Sequence, residues 1–110
     1  MAYDESLAER IRALTAAVPG IAERRMFGGL AFLVGGNMAI AASGEGGILV
    51  RVPPDDSQRL VEETTAEVAV MRGRPMAGWL RVASKDLAGD ALAGWVTRGT
   101  GYAAALPPKT

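Results

Sequence analysis

Apolar residues recur at spacings of four, three and four from Leu7 through Ile11 and Leu14 to Val18, the single stripe of an amphipathic helix. Asp4 is one candidate N-cap, and Ser6 with Glu9 offers a capping box two residues later. Pro19-Gly20 ends the stripe, and the period changes to two. Ile21 to Val34 reads as one long strand interrupted by Gly28-Gly29, where a bulge or a close backbone approach should bend it. A turn at Gly35-Gly36-Asn37 follows. A two-residue loop would set Phe32 beside Ala39 and Ala41, whereas a three-residue loop with a left-handed Asn37 pairs Phe32 with Ile40 and Val34 with Met38. The second register is the expected one, because it gathers Leu30, Phe32, Val34, Met38 and Ile40 on one face.

Ser43 to Gly47 is a second glycine-rich connection, and Ile48 to Val52 is the next strand, with Leu49 and Arg51 on the face opposite Ile48, Val50 and Val52. Pro53-Pro54 closes this meander, and Asp55-Asp56 opens a short helix whose inner side is Leu60, Val61 and Thr64. Glu67 to Met71 and Met76 to Val82 are two further strands, the second carrying Met76, Gly78, Leu80 and Val82 on one face and Trp79 and Arg81 on the other. Ser84 should cap a last helix in which Leu87, Leu92, Trp95 and Val96 follow helical spacing. These elements predict a single α+β domain over residues 1–110, a mainly antiparallel five-stranded sheet with helices in the order α-β-β-β-α-β-β-α.

Composition removes most chemistries. The chain has no cysteine and no histidine, which excludes disulfides, thiolate nucleophiles, the usual zinc sites and the usual neutral-pH general base. The glycine pairs form no strand-to-helix phosphate loop, and Asp55-Asp56 at a helix start reads as a cap rather than an acid–base pair. No catalytic residue, cofactor or metal is expected, and the protein is not expected to be an enzyme. Twelve basic residues balance twelve acidic ones, so any pull on nucleic acid must be local. The start carries no cationic leader and no long apolar run, which points to a cytoplasmic protein without a membrane segment. Ten of the basic residues are arginine and two lysine, a bias in keeping with a GC-rich bacterial genome.

One window is locally basic: between Glu67 and Asp86 lie Arg72, Arg74, Arg81 and Lys85 and no acid. With Arg51 and Trp79 these arginines could hold an anion and stack a flat ligand, or pair with acids of the second helix while Trp79 fills a helix interface.

Several words are more specific than the periodicity: Arg25-Met26-Phe27-Gly28-Gly29, then Phe32 with Gly36-Asn37-Met38, then Arg51-Val52, then Gly73-Arg74-Pro75-Met76 and Gly78-Trp79. On these, essentially the whole chain resembles the amino-terminal domain of the TfoX/Sxy family of competence regulators, close to its single-domain actinobacterial members. The resemblance implies an antiparallel sheet with helices, as in type III secretion chaperones, and no catalytic residues. Met26, Phe27, Gly28 and Gly29 are then turn and core determinants. Larger members carry a second, helical domain and act as co-regulators of competence genes.

The expected function is a small regulatory or protein-interaction domain. A nucleic-acid or anionic-ligand module using Arg51, Arg72, Arg74, Arg81 and Trp79 is the rival. Strand alternation places Leu33, Leu49 and Trp79 on one open sheet face, more apolar than a lone monomer usually tolerates, so a homodimer or another protein partner is expected over it, with Arg51 and Arg81 at the rim.

Overall fold

The first helix folds on the predicted stripe, rotated slightly. In the computed structural model, which describes residues 3–26 and 28–108, α1 spans Glu5–Thr15, and the Asp4 carboxylate accepts a hydrogen bond from the Leu7 N–H at 3.1 Å. Asp4 is therefore the N-cap. The buried side of α1 is Leu7, Ala8, Ile11 and Thr15, and Leu14, expected among them, is 44% exposed. Thr15 enters the interior because its hydroxyl donates to the Ile11 carbonyl at 2.9 Å, which leaves no polar atom unpaired.

The single strand expected from Ile21 to Val34 is two strands. β1 (Ile21–Met26) pairs antiparallel with β2 (Gly29–Val34), Met26 opposite Gly29, so the chain reverses where a bend was expected. The sheet accordingly has six strands rather than five. Gly28 supplies the reversal at φ +76°, and a Cβ on Gly29 would fall 2.2 Å from the Ala42 carbonyl oxygen. Phe27 lies outside the described residues. Sequence pattern missed the reversal because β1 is an edge strand whose residues 22–25 are all exposed and carry no apolar alternation.

The next turn is also shorter than expected. β2 runs into β3 (Asn37–Ala42) through Gly35-Gly36, at φ +59° and +84°, the pair of positive angles that a type I′ turn requires. Val34 then pairs with Asn37 and Leu33 with Met38, so Met38 lies on the face opposite to the one expected. A bulge restores the original register one residue later: Phe32 pairs with Ile40, as predicted, and Ala39 is the extra residue. Asn37 is buried and donates from its side chain to the Pro107 carbonyl at 2.9 Å, tying down the segment after the last helix.

β4 (Ile48–Arg51) continues the meander, and a 3₁₀ turn over Pro54–Asp56 leads into α2 (Ser57–Glu63). β5 (Glu67–Met71) and β6 (Arg74–Val82) form a hairpin, and α3 spans Ala91–Ala105. The strand order is β1-β2-β3-β4-β6-β5, antiparallel throughout. Ser84 does not cap α3: it opens a separate 3₁₀ turn, Ser84–Asp86, and its hydroxyl accepts from the Gly47 N–H at 3.1 Å. Nor does Met76 face the helices. Between Val68 and Val70 the pairing slips, β6 bulges at Gly78 (φ +88°), and Met76 is left 37% exposed. The buried Ser57 hydroxyl accepts from the Gly78 N–H at 2.9 Å and so anchors the bulge to the start of α2.

All helices contribute to one side of the sheet, where Ile11, Leu60, Leu92 and Trp95 meet Phe32, Ile40, Val50 and Leu80. Truncating one of the large aliphatic or aromatic residues here to alanine should cost about 2–5 kcal/mol. Helix α3 approaches the sheet closely at the β3 bulge: a Cβ on Gly99 would lie 2.5 Å from the Ala39 carbonyl oxygen, whereas Gly94 and Gly101 of the same helix face open space. Helix propensity and packing therefore oppose each other at one glycine only. Gly94→Ala and Gly101→Ala should each stabilise by up to about 1 kcal/mol, and Gly99→Ala should destabilise by about 2 kcal/mol or more, read from urea midpoints at a common m-value.

Candidate functional site

The sheet face turned away from the helices has a core of its own. Ala31, Leu33, Met38, Ala41, Leu49 and Ala69 are buried there together, with Met26 and Trp79 packed against them. No helix residue belongs to this cluster. Strand alternation supplies it: Leu33 and Met38 are cross-strand partners, as are Ala31 with Ala41 and Leu49 with Arg81. The open face expected from the sequence is thus already covered within the chain, with Leu33 and Leu49 each only 5% exposed.

The basic residues predicted as one patch divide into three groups. Arg51 lies opposite Trp79 across the β4–β6 ladder, and its guanidinium carbon is 5.0 Å from the Trp79 ring centroid and 5.7 Å from that of Tyr102. Cation–π attraction of this kind occupies the indole that would otherwise stack a base. Trp79 is not at a helix interface. Arg81 donates to the Ser43 hydroxyl at 3.0 Å and lies 3.7 Å from the Glu45 carboxylate, so its acid comes from the β3–β4 loop and not from α2. The acids of α2 have partners on their own helix: Arg59 pairs with Glu63 and with Asp56 of the preceding turn, and the Gln58 amide donates to Glu62. Arg72 and Arg74 form the third group, at the tip of the β5–β6 hairpin, and among the described residues neither has an ion-pair partner.

Arg81 and Arg72 share a cleft of about 260 Å³ whose floor is Met38, Ala41 and Leu49, with Met26 and Val70 at its sides. Arg51, Arg74 and Trp79 do not line it. Ser43 and Glu45, at its mouth, are site residues that the sequence reading passed over as part of a glycine-rich turn. The one usable signal was Ser43 at the first position of that turn, where a hydroxyl commonly accepts a nearby backbone N–H, as it does from Glu45 at 3.1 Å. Of the motif residues, Met26 reaches the cleft, as does Gly29, while Gly28 faces open space.

Arg72 adopts φ +54°, the only left-handed non-glycine residue among those described, and with Gly73 at +75° it makes a two-residue turn between the paired Met71 and Arg74. A side chain in that conformation costs about 1–2 kcal/mol relative to the right-handed region.

The opposite edge of the sheet carries an ion-pair cluster. Arg12 of α1 grips Glu23 of β1 through two hydrogen bonds, 2.6 and 2.9 Å, and also contacts Glu9. The hydrogen bonds from Arg12 hold the Glu23 carboxyl below its ordinary range, and the carboxylates push Arg12 further up. Among the described residues no group of three or more His, Cys, Asp or Glu side chains could hold a metal ion, and no helix is long and apolar enough to cross a membrane.

An antiparallel α+β sheet with its helices on one side and a small arginine-lined cleft on the other defines the class of this domain. Comparison with protein families matches residues 13–102 to the TfoX N-terminal domain. The chain belongs to that family. No curated protein and no solved structure matches it.

Two measurements test this geometry. Glu23 has a lowered pKa in the fold, so its contribution is full above the unfolded value and is lost as pH falls through the folded one. Wild type should therefore exceed Glu23→Gln in thermal stability at neutral pH, and the difference should close on acidification below the ordinary carboxylate range. Arg51→Gln should lower stability by about 0.5–1 kcal/mol and alter the emission of Trp79, recorded in a Trp95→Phe background.

Proposed function

We propose that this is a small, non-enzymatic, cytoplasmic domain that works by binding protein, and that its simplest partner is a second copy of itself. The observation that carries the reading is the β5–β6 hairpin. Val70 is 59% and Met76 37% exposed, so two of the three large exposed hydrophobics among the described residues lie on this one hairpin, beside exposed Pro75 and the tip arginines Arg72 and Arg74. Exposed apolar side chains gathered on one protruding element are the usual mark of a docking surface, and methionine adapts to varied partner shapes. β5 is also a sheet edge with neither lysine nor proline in it, whereas the other edge, β1, carries Glu23, Arg24 and Arg25. Family membership supports a regulatory task, in the setting of competence or transcription that larger members provide.

Light scattering over a wide concentration range tests it. The apparent mass should rise from 11.4 kDa toward twice that value, and Val70→Lys and Met76→Lys should each return it to the monomer without lowering the melting temperature. A chain that stays monomeric at every concentration rejects self-association. Binding of a single-stranded oligonucleotide that weakens steeply with salt and is lost in Arg72→Glu with Arg74→Glu would instead favour the nucleic-acid module.

A further inference from the structure

We infer that the cleft on the sheet face away from the helices is a binding site for a small amphipathic anion, a single carboxylate carried on an aliphatic body. This goes beyond the protein-docking reading and does not depend on it.

The lining separates into two chemistries. Met38, Ala41 and Leu49 form an apolar floor belonging to the buried cluster of that face. Two guanidiniums, Arg72 and Arg81, share the cleft with one acid, Glu45, and the excess of one positive charge matches a monoanion. Arg81 is preorganised: one terminal nitrogen is held by the buried Ser43 hydroxyl at 3.0 Å, and the other has only a long contact, 3.7 Å, with a carboxylate that is mostly in solvent. An incoming carboxylate can displace Glu45 from that nitrogen without disturbing the Ser43 bond, gaining the short charge-assisted geometry that Glu45 does not make.

Arg72 supplies a second, independent argument. A two-residue hairpin turn with both central angles positive calls for Asn-Gly or Gly-Gly, yet this one carries arginine in the left-handed region. Strain of this kind persists where a side chain is needed in place, and here the strained residue lines the cleft. Among the described residues no aromatic side chain lines the cleft, and Trp79 on the same sheet face is covered by Arg51, which favours an aliphatic body over a flat base.

The experiment titrates the ¹⁵N-labelled full chain with octanoate, octanol and octylammonium, and with a short peptide ending in leucine as free acid or as amide. Octanoate should give saturable shifts at Met38, Ala41, Leu49, Arg72 and Arg81, with octanol at least about tenfold weaker and octylammonium without effect. Saturable binding of the peptide acid but not the amide would assign the same site to a protein C terminus, and octanoate alone to a free small acid. Arg72→Gly is the decisive variant, because glycine accepts the turn and the fold should be retained or stabilised while octanoate affinity falls about tenfold. Arg81→Met should weaken octanoate by a similar factor. The proposal is overturned if neither octanoate nor the peptide acid shifts the cleft, if octanol binds as well as octanoate, or if Arg72→Gly binds octanoate like wild type.

Discussion

The bulge at Ala39 is the constraint on which the two-faced sheet depends. A two-residue turn at Gly35-Gly36 forces Leu33 opposite Met38, and an uninterrupted ladder would then place Phe32 against Ala39 and Ile40 on the wrong side. One extra residue corrects the phase, sending Ile40 to the helices with Phe32 while Met38 stays with Leu33 on the other face. The same bulge presents the Ala39 carbonyl toward α3, where only a glycine at position 99 leaves room. Helix seating and the floor of the outer cleft thus follow from a single local irregularity.

The arginines show how a patch in sequence becomes several different things in space. Arg51 is absorbed by two aromatic rings, Arg81 by a hydroxyl and a loop carboxylate, and Arg12 by two acids on its own helix and on β1. Arg72 and Arg74, at the tip of the β5–β6 hairpin, have no such partner among the described residues. That hairpin combines a strained turn, exposed apolar residues and cations without acidic partners among the described residues, and it adjoins a cleft shared by two guanidiniums. Exposed apolar residues and the hairpin arginines therefore lie together at one end of the sheet, away from the helical core.

Much of this was legible in the chain itself. Alternation alone places Ile48, Val50, Val52, Leu80 and Val82 on the inner face and Leu49, Trp79 and Arg81 on the outer one, as they are in the structure, and Trp95, on the helical stripe, is buried. Arg81 was named as a site residue, but Ser43 and Glu45 were not, because a turn residue's role depends on what folds against it. The hairpin at Gly28 was missed because an exposed edge strand has no apolar period to read.

Sequence alone determined the α+β class, the family and which residues of β4 and of the C-terminal end of β6 share a face, since all three rest on local periodicity and on short words that neighbours in the chain spell out. Tertiary structure alone decided the number of strands, the face of Met38, and the division of the arginines. The division of the arginines turns on contacts such as Arg81 against Ser43, and the seating of strand on strand and helix on sheet on close approaches between residues distant in the chain, Gly29 against Ala42 and Gly99 against Ala39. A local pattern holds no information about which distant backbone will approach, and it is that approach which converts a run of glycines and arginines into a turn, a bulge and a cleft.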